Sequence, residues 1–345
     1  VALVERAREL IGEKSVPIVI GPITLLALSR FEGDLAAAAG DLAPYYIELL
    51  RTLVELGVTE VQLHEPVLVL SGSEALRVPF ESVYADLSTV DVRLNLVTYF
   101  DDLGATYPWV VRLPVDVISL DFTRGDNLSL IESHGWPADK ILVAGLIDGR
   151  SVWRERPAEI RERLSEVAAA LPEGAHLRVG ASSSLQFLPY AAGRETELPE
   201  PLRGVLAFAD EKLEELRAVA DGDSDGQLDA WSAFRAFSPA DEAVQTRIAE
   251  LGTDDFARGQ DYDERRPEQV ALPSFPMTTI GSFPQTREVR QHRAKYRRGE
   301  ITEAEYQAGV DAFIAYTVGV QDGLGLDMLV HGEFERTDMV EYFAQ

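Results

Sequence analysis

Two short stretches hold the side chains best suited to chemistry: MTTIGSFPQT from Met277 to Thr286, and LVHGEFERTDMVEYF from Leu329 to Phe343. Each is an apolar run ending in small or charged residues. Thr278, Thr279 and Ile280 lead into Gly281 and Ser282, while Met328, Leu329 and Val330 lead into His331, Gly332 and Glu333. A buried parallel strand delivers polar groups to a ligand in this way, because its interior packs while the loop beyond its carboxyl end faces a crevice. Backbone N–H groups of a Gly-Ser turn, with the Ser282 hydroxyl beside them, suit a carboxylate. The Glu333 carboxylate suits an ammonium through charge-assisted hydrogen bonds. The same residues also read as architecture: a tight turn at Gly281-Ser282, and an ion pair from Glu333 to Arg336 or Arg287. His331, Asp338 and Glu341 are the other polar groups of the second stretch. Arg287, Arg290, Arg293, Lys295, Arg297 and Arg298 form a basic run that fits either an anionic ligand or a solvated helix face.

Other chemistries find little support. The five histidines, His64, His134, His176, His292 and His331, never fall at a spacing that puts two imidazoles on one helix face, and there is no cysteine. Disulfides, thiolate nucleophiles and zinc–thiolate sites are therefore outside what these residues can do, and the sequence read alone assigns no metal ligand. No Gly-x-Gly-x-x-Gly or phosphate-loop pattern occurs, which leaves a dinucleotide or nucleoside triphosphate without a cradle. With 32 Lys and Arg against 58 Asp and Glu, the net charge is −26. That balance argues against nucleic acid and anionic membrane surfaces as partners. No run approaches the roughly 18 apolar residues of a membrane span, and VALVERAREL is not signal-like, so the expected location is the cytoplasm.

The segments TTIGSFPQTREVR and LDMLVHGEFERTDMVEYF, with one helix between them, resemble the start of the catalytic barrel of cobalamin-independent methionine synthase. GPITLLALSR, VQLHEPVLVL, LDFTRG and LVAGLIDGRSVW are similar, more weakly, to strand units of that family's amino-terminal barrel. The resemblance implies two (βα)8 barrels in the intact enzyme. There a zinc-held homocysteine thiolate would attack the methyl group on N5 of 5-methyltetrahydrofolate polyglutamate, the donor, and the enzyme would act as a monomer. It places homocysteine contacts at Ile280, Gly281, Ser282 and Glu333, and puts the zinc ligands (His, Glu and two Cys) in a later part of the second barrel, with no catalytic residue in the present stretch. In the first barrel, Val97 to Phe100 and Ser182 to Ser184 stand where metal-binding residues would be, with Asp121 at a ligand carboxylate's place. That half reads as scaffold, with a substrate-tail or interface role.

The elements that must position these residues follow the βα rhythm of an α/β fold with a parallel sheet or barrel, and the resemblance implies TIM-type barrel units. Apolar runs at Val16–Ile20, Val58–Leu63, Val92–Phe100, Val115–Leu120, Ile141–Leu146 and Leu177–Val179 predict six strands, and the runs at 277–281 and 326–330 predict two more. Pro44 suits the first turn of a helix that Gly57 ends. Pro199 to Ala220 reads as one long helix. Thr302 with Glu305 forms a capping box for a helix that carries Tyr306, Val310, Phe313, Ile314 and Thr317 on one face. The expected organisation is residues 1–255 as the third to eighth units of an amino-terminal barrel with trailing helices, 256–271 as linker, and 272–345 as the start of a catalytic barrel. The absent initial Met and the stop at Gln345 suggest a segment of a longer chain. Three rival readings stay open: a non-catalytic fragment or scaffold, a permuted single barrel in which the 329 segment pairs with the 18 segment, and a barrel glycosidase using Glu65 and Asp121, with His64 beside them.

Overall fold

A computed structural model describes residues 1–222, 228–238 and 240–337. Asp338 and Glu341 lie outside the described residues, as do most of the turn cluster after Asp221 and Pro239. The chain forms two compact units, Val1–Thr246 and Arg247–Gln345.

The first unit is built on six parallel strands, β1 (Ile18–Ile20), β2 (Glu60–His64), β3 (Arg93–Val97), β4 (Val117–Asp121), β5 (Ile141–Ile147) and β6 (His176–Ala181). They lie side by side in chain order, so the six expected strands and the α/β class are as read from the sequence. One strand face is apolar: Val61, Leu63, Leu94, Leu96, Ile118, Leu120, Leu142, Ala144 and Leu146 are all buried within the main core. The opposite face carries Glu60, Asn95, Ser119 and Arg178, which alternate with those residues along the strands. Arg178 Nη1 of β6 lies 2.9 Å from Glu60 Oε2 of β2, with Ser119 Oγ donating to Asn95 Oδ1 at 2.8 Å. In a flat sheet β2 and β6 would stand roughly 19 Å apart at the usual strand spacing. The ion pair therefore requires a sheet curled toward a barrel around a polar interior.

Two helices differ from expectation. Pro44 lies inside the helix Leu35–Glu55 rather than at its start. Asp34 caps that helix through Ala37 N at 2.9 Å, and the Ala-rich turn after it extends the helix upstream; the proline's missing N–H is tolerated within a long packed helix. The long helix read from Pro199 divides into Glu200–Gly204 and Ala209–Asp221. Val205, Leu206, Ala207 and Phe208 are buried instead, and Leu206 bridges antiparallel to Trp153 through hydrogen bonds from Arg154 N to Val205 O and from Ala207 N to Val152 O, each 2.8 Å. Burying four apolar residues against that loop outweighs continuing the helix.

In the second unit, Thr286 caps Arg287–Arg297 and the predicted Thr302/Glu305 box caps Glu303–Gly323. Val310 and Thr317 are buried on the expected face, and Phe334 and Val289 pack with Phe313 and Ile314. The runs at 277–281 and 326–330 do not become strands: they meet in one parallel bridge, Ser282 to Gly332. Among the described residues no third strand flanks them, and a two-stranded parallel ladder has too few partners to extend. Among the described residues the six sheet strands all lie between residues 18 and 181, and the strand pairing of the 329 segment with the 18 segment that the permuted barrel calls for is not among them.

Candidate functional site

The two motifs of the second unit are held together by paired backbone contacts. Gly332 N donates to Gly281 O at 3.1 Å, Phe283 N to Gly332 O at 3.0 Å, and Asp327 N to Met277 O at 3.0 Å. Gln321, almost fully buried on the helix Glu303–Gly323, clamps the 330 segment from behind: its Nε2 donates to Val330 O at 2.8 Å and its Oε1 accepts Val330 N at 2.9 Å. Glycine is needed at the crossing. Gly281 has φ 107 and Gly332 φ 93, and a Cβ at Gly332 would fall 2.6 Å from the Phe334 ring.

This crossing brings three of the four predicted residues to one place. Glu333 is itself left-handed, with φ 57, a conformation of a kind concentrated at functional sites. Its carboxylate accepts from the Ser282 hydroxyl and from Arg336 Nη2, and Arg336 Nη2 also lies 3.1 Å from Ser282 Oγ. A Cβ at Gly281 would sit 3.5 Å from Glu333 Oε1, an ordinary contact, so the positive φ rather than space calls for glycine there. Ile280 does not join the cluster through its side chain, which is 95% exposed. His331 stands at the edge, its Nδ1 3.3 Å from Glu333 N and 3.7 Å from Glu335 Oε2.

Arg336 entered the sequence reading only as one of two ion-pair partners for Glu333, yet it completes a carboxylate–guanidinium–hydroxyl triad. Arg293 of the basic helix binds Gln285 Oε1 and Phe334 O, both at 2.8 Å, and Arg336 O at 3.1 Å. That residue, at least, braces the loop rather than facing solvent. Nothing in the local pattern marked Gln321 as a clamp; its signal is an amide on the buried helix face, four residues after Thr317.

At the strand ends of the first unit, Glu65 is fully buried and accepts from Ile23 N at 3.1 Å, Thr24 N at 2.6 Å and the Tyr84 hydroxyl at 3.1 Å. Burial pushes its carboxyl up to about 7 despite those donors. Asp121 is 1% exposed, and accepts from Phe100 N at 3.0 Å and from Thr123 N and Oγ1 at 2.7 Å. Both carboxylates are consumed by backbone and hydroxyl donors, so they do not form an acid–base pair open to a sugar, and the glycosidase reading falls. His64 is held down to about 4 by burial and rests against Gln62 Oε1 at 3.1 Å. Among the described residues no group of three or more His, Cys, Asp or Glu could hold a metal ion.

Residues 1–172 match the family model described as the N-terminal domain of cobalamin-independent synthase, and residues 275–345 match the model of its catalytic domain. The chain belongs to the cobalamin-independent methionine synthase family. It is 50% identical over 351 residues to 5-methyltetrahydropteroyltriglutamate–homocysteine methyltransferase of Trichodesmium erythraeum (strain IMS101), covering 99% of this chain and 47% of that protein. The protein of the same name from Synechococcus sp. (strain JA-2-3B'a(2-13)) is 51% identical over 350 residues, at 99% and 46% coverage. The chain thus spans about half the length of these curated relatives. Among solved structures, a B12-independent methionine synthase from Shewanella sp. W3-18-1 in complex with selenomethionine aligns over 72% of this chain and 68% of its own, at 16% identity and a TM-score of 0.45. Among the described residues, no helix is long and apolar enough to cross a membrane.

Proposed function

We propose that this chain carries the homocysteine-binding end of a methyltransferase that makes methionine from homocysteine and 5-methyltetrahydrofolate polyglutamate. The observation that carries the reading is the junction of Gly281-Ser282 with Glu333 and Arg336. An amino acid presents an ammonium and a carboxylate on one carbon, and this cluster offers a carboxylate and a guanidinium side by side, paired with each other. The ammonium takes a place on Glu333, and the substrate carboxylate meets Arg336 and the Gly281-Ser282 turn. Names of the relatives support the pairing of these two substrates. The thiol-activating zinc that the family resemblance implies finds no ligand set among the described residues, and no step is assigned to it. We further propose that residues 1–255 form a barrel scaffold and 272–345 the start of the catalytic one, in a cytoplasmic, monomeric enzyme.

Calorimetric titration with homocysteine tests the site. Glu333→Gln is expected to weaken binding about 10- to 100-fold, the worth of a hydrogen bond to a charged group, and Ser282→Ala about 5-fold. Wild-type affinity in both variants would overturn the assignment.

A further inference from the structure

The two charged groups of the amino-acid site, Glu333 and Arg336, are not held in place by their own backbone. Residues 333–336 form neither helix nor strand. Glu333 is left-handed, and such a conformation persists in a non-glycine residue only where its surroundings over-determine it. Side chains must therefore hold this loop.

The grip comes from the helix Arg287–Arg297. Arg293 Nη2 lies 2.8 Å from Phe334 O and 3.1 Å from Arg336 O, so it takes hold of the chain on both sides of Glu335. The same nitrogen lies 2.8 Å from Gln285 Oε1. A guanidinium carries donors only, so it decides which end of the Gln285 amide turns toward it: the oxygen faces Arg293, and Nε2 is left to donate to Glu333 O at 3.4 Å. Gln285 is held from its other side as well, its carbonyl accepting from Arg290 Nη1 at 2.8 Å. Arg293 Nε is buried without a partner among the described residues, which marks a fork aimed at the loop rather than at water. One side chain thus ties the loop after the first motif to the loop after the second, and these are the two halves of the amino-acid site.

We infer that Arg293, acting with Gln285, is a positioning residue for the amino-acid head group. It touches neither the ammonium nor the carboxylate of the substrate, and sets the direction in which Glu333 and Arg336 meet them. Held in this way, the two groups need no ordering when substrate arrives. The inference rests on the Glu333 cluster being the homocysteine site. A double-mutant cycle, read by calorimetric titration of homocysteine into the 345-residue chain, tests it. Arg293→Met is expected to weaken binding about tenfold and Gln285→Ala about threefold, the range for residues that act on a site without touching its ligand. On a Glu333→Gln background the Arg293→Met loss is expected to shrink to about threefold or less, Arg336 alone remaining to be oriented. The Gln285→Ala loss, which passes through Glu333, is expected to vanish there. A residue that only supports the fold would lower affinity equally on both backgrounds. Equal losses on the two backgrounds would therefore overturn the inference, as would wild-type affinity in both single variants. Thermal unfolding of each variant accompanies the titrations, and if Arg293→Met shows no folding transition, the cycle through the loop residue Gln285 decides by itself. Wild-type affinity in Glu333→Gln would remove the site and this inference together. A weakened Glu333→Gln beside unchanged Arg293→Met and Gln285→Ala sinks the positioning role alone.

Discussion

Replacing Glu65 by alanine is expected to destabilise the first unit by about 4 kcal/mol, because three donors lose their acceptor at once and each buried orphan costs about 1–3 kcal/mol. Ile23 N and Thr24 N open the helix Pro22–Ala27, and the Tyr84 hydroxyl comes from the helix Arg77–Leu87, so one carboxyl ties β2 to two helices. Gly21 leaves the room: a Cβ there would lie 2.1 Å from the Glu65 carboxyl carbon. In a unit of this size the loss corresponds to a fall in Tm of about 10 °C. Thermal unfolding followed by circular dichroism reads it, and a loss below about 1 kcal/mol would mean that these donors find other partners.

The conservative change Glu65→Gln probes a different property. Burial raises the Glu65 carboxyl from the ordinary 4.5 to about 7, so the folded state holds this proton more tightly than the unfolded one. The resulting stability is fully present below about pH 4.5 and is lost as pH rises through 7. Over that window the contribution falls by about 3–4 kcal/mol at most, since each tenfold difference in proton affinity between the folded and unfolded states is worth about 1.4 kcal/mol. Glutamine keeps the acceptor and cannot titrate. The difference in stability between wild type and Glu65→Gln is therefore expected to shift in the variant's favour from about pH 5 to about pH 8, measured by urea unfolding. A difference that stays constant over that range would contradict the assigned burial effect.

Much of the architecture was legible because its causes are local. Six apolar runs with turn residues at their ends mark the strands, and Thr302 with Glu305 marks a helix start through a hydrogen-bond pair only three residues apart. The crossing of Gly281 and Gly332 was legible in part, since small residues after an apolar run mark a tight approach. What could not be read depends on distant partners. Pro44 signals a helix start by itself, yet the cap at Asp34 and the packing of Leu50 and Leu53 carry the helix through it. Glu65 and Asp121 look like catalytic acids in a one-dimensional pattern, and only the fold reveals that backbone donors occupy them. Arg336 was visible as a charge three residues from Glu333, but its second contact, with Ser282, spans 54 residues.

Lys212 shows the same dependence on distant partners with the larger ionic effect. Its side chain is fully buried, with Nζ donating to Trp153 O at 2.7 Å and Glu155 Oε1 at 2.9 Å, and lying 3.5 Å from Glu215 Oε2. Arg154, 3.8 Å from Glu215, is the only other cation that pairs with this group among the described residues. Lys212→Met at about pH 8 is expected to cost about 3–5 kcal/mol, because Glu155 and Glu215 then share one distant arginine in a dry setting. Burial raises Glu215 to about 7 against the pull of Lys212 and Arg154, so at about pH 6 much of its charge is already neutralised. The loss should accordingly be smaller at the lower pH than at the higher, and Glu215→Gln added to Lys212→Met should recover part of it. An equal loss at both pH values would show that Lys212 acts through the Trp153 carbonyl alone. In either case the anchored loop runs from Asp148 to Glu155 and carries Arg150, whose guanidinium stands over the Phe100 ring, so the buried lysine also fixes that contact.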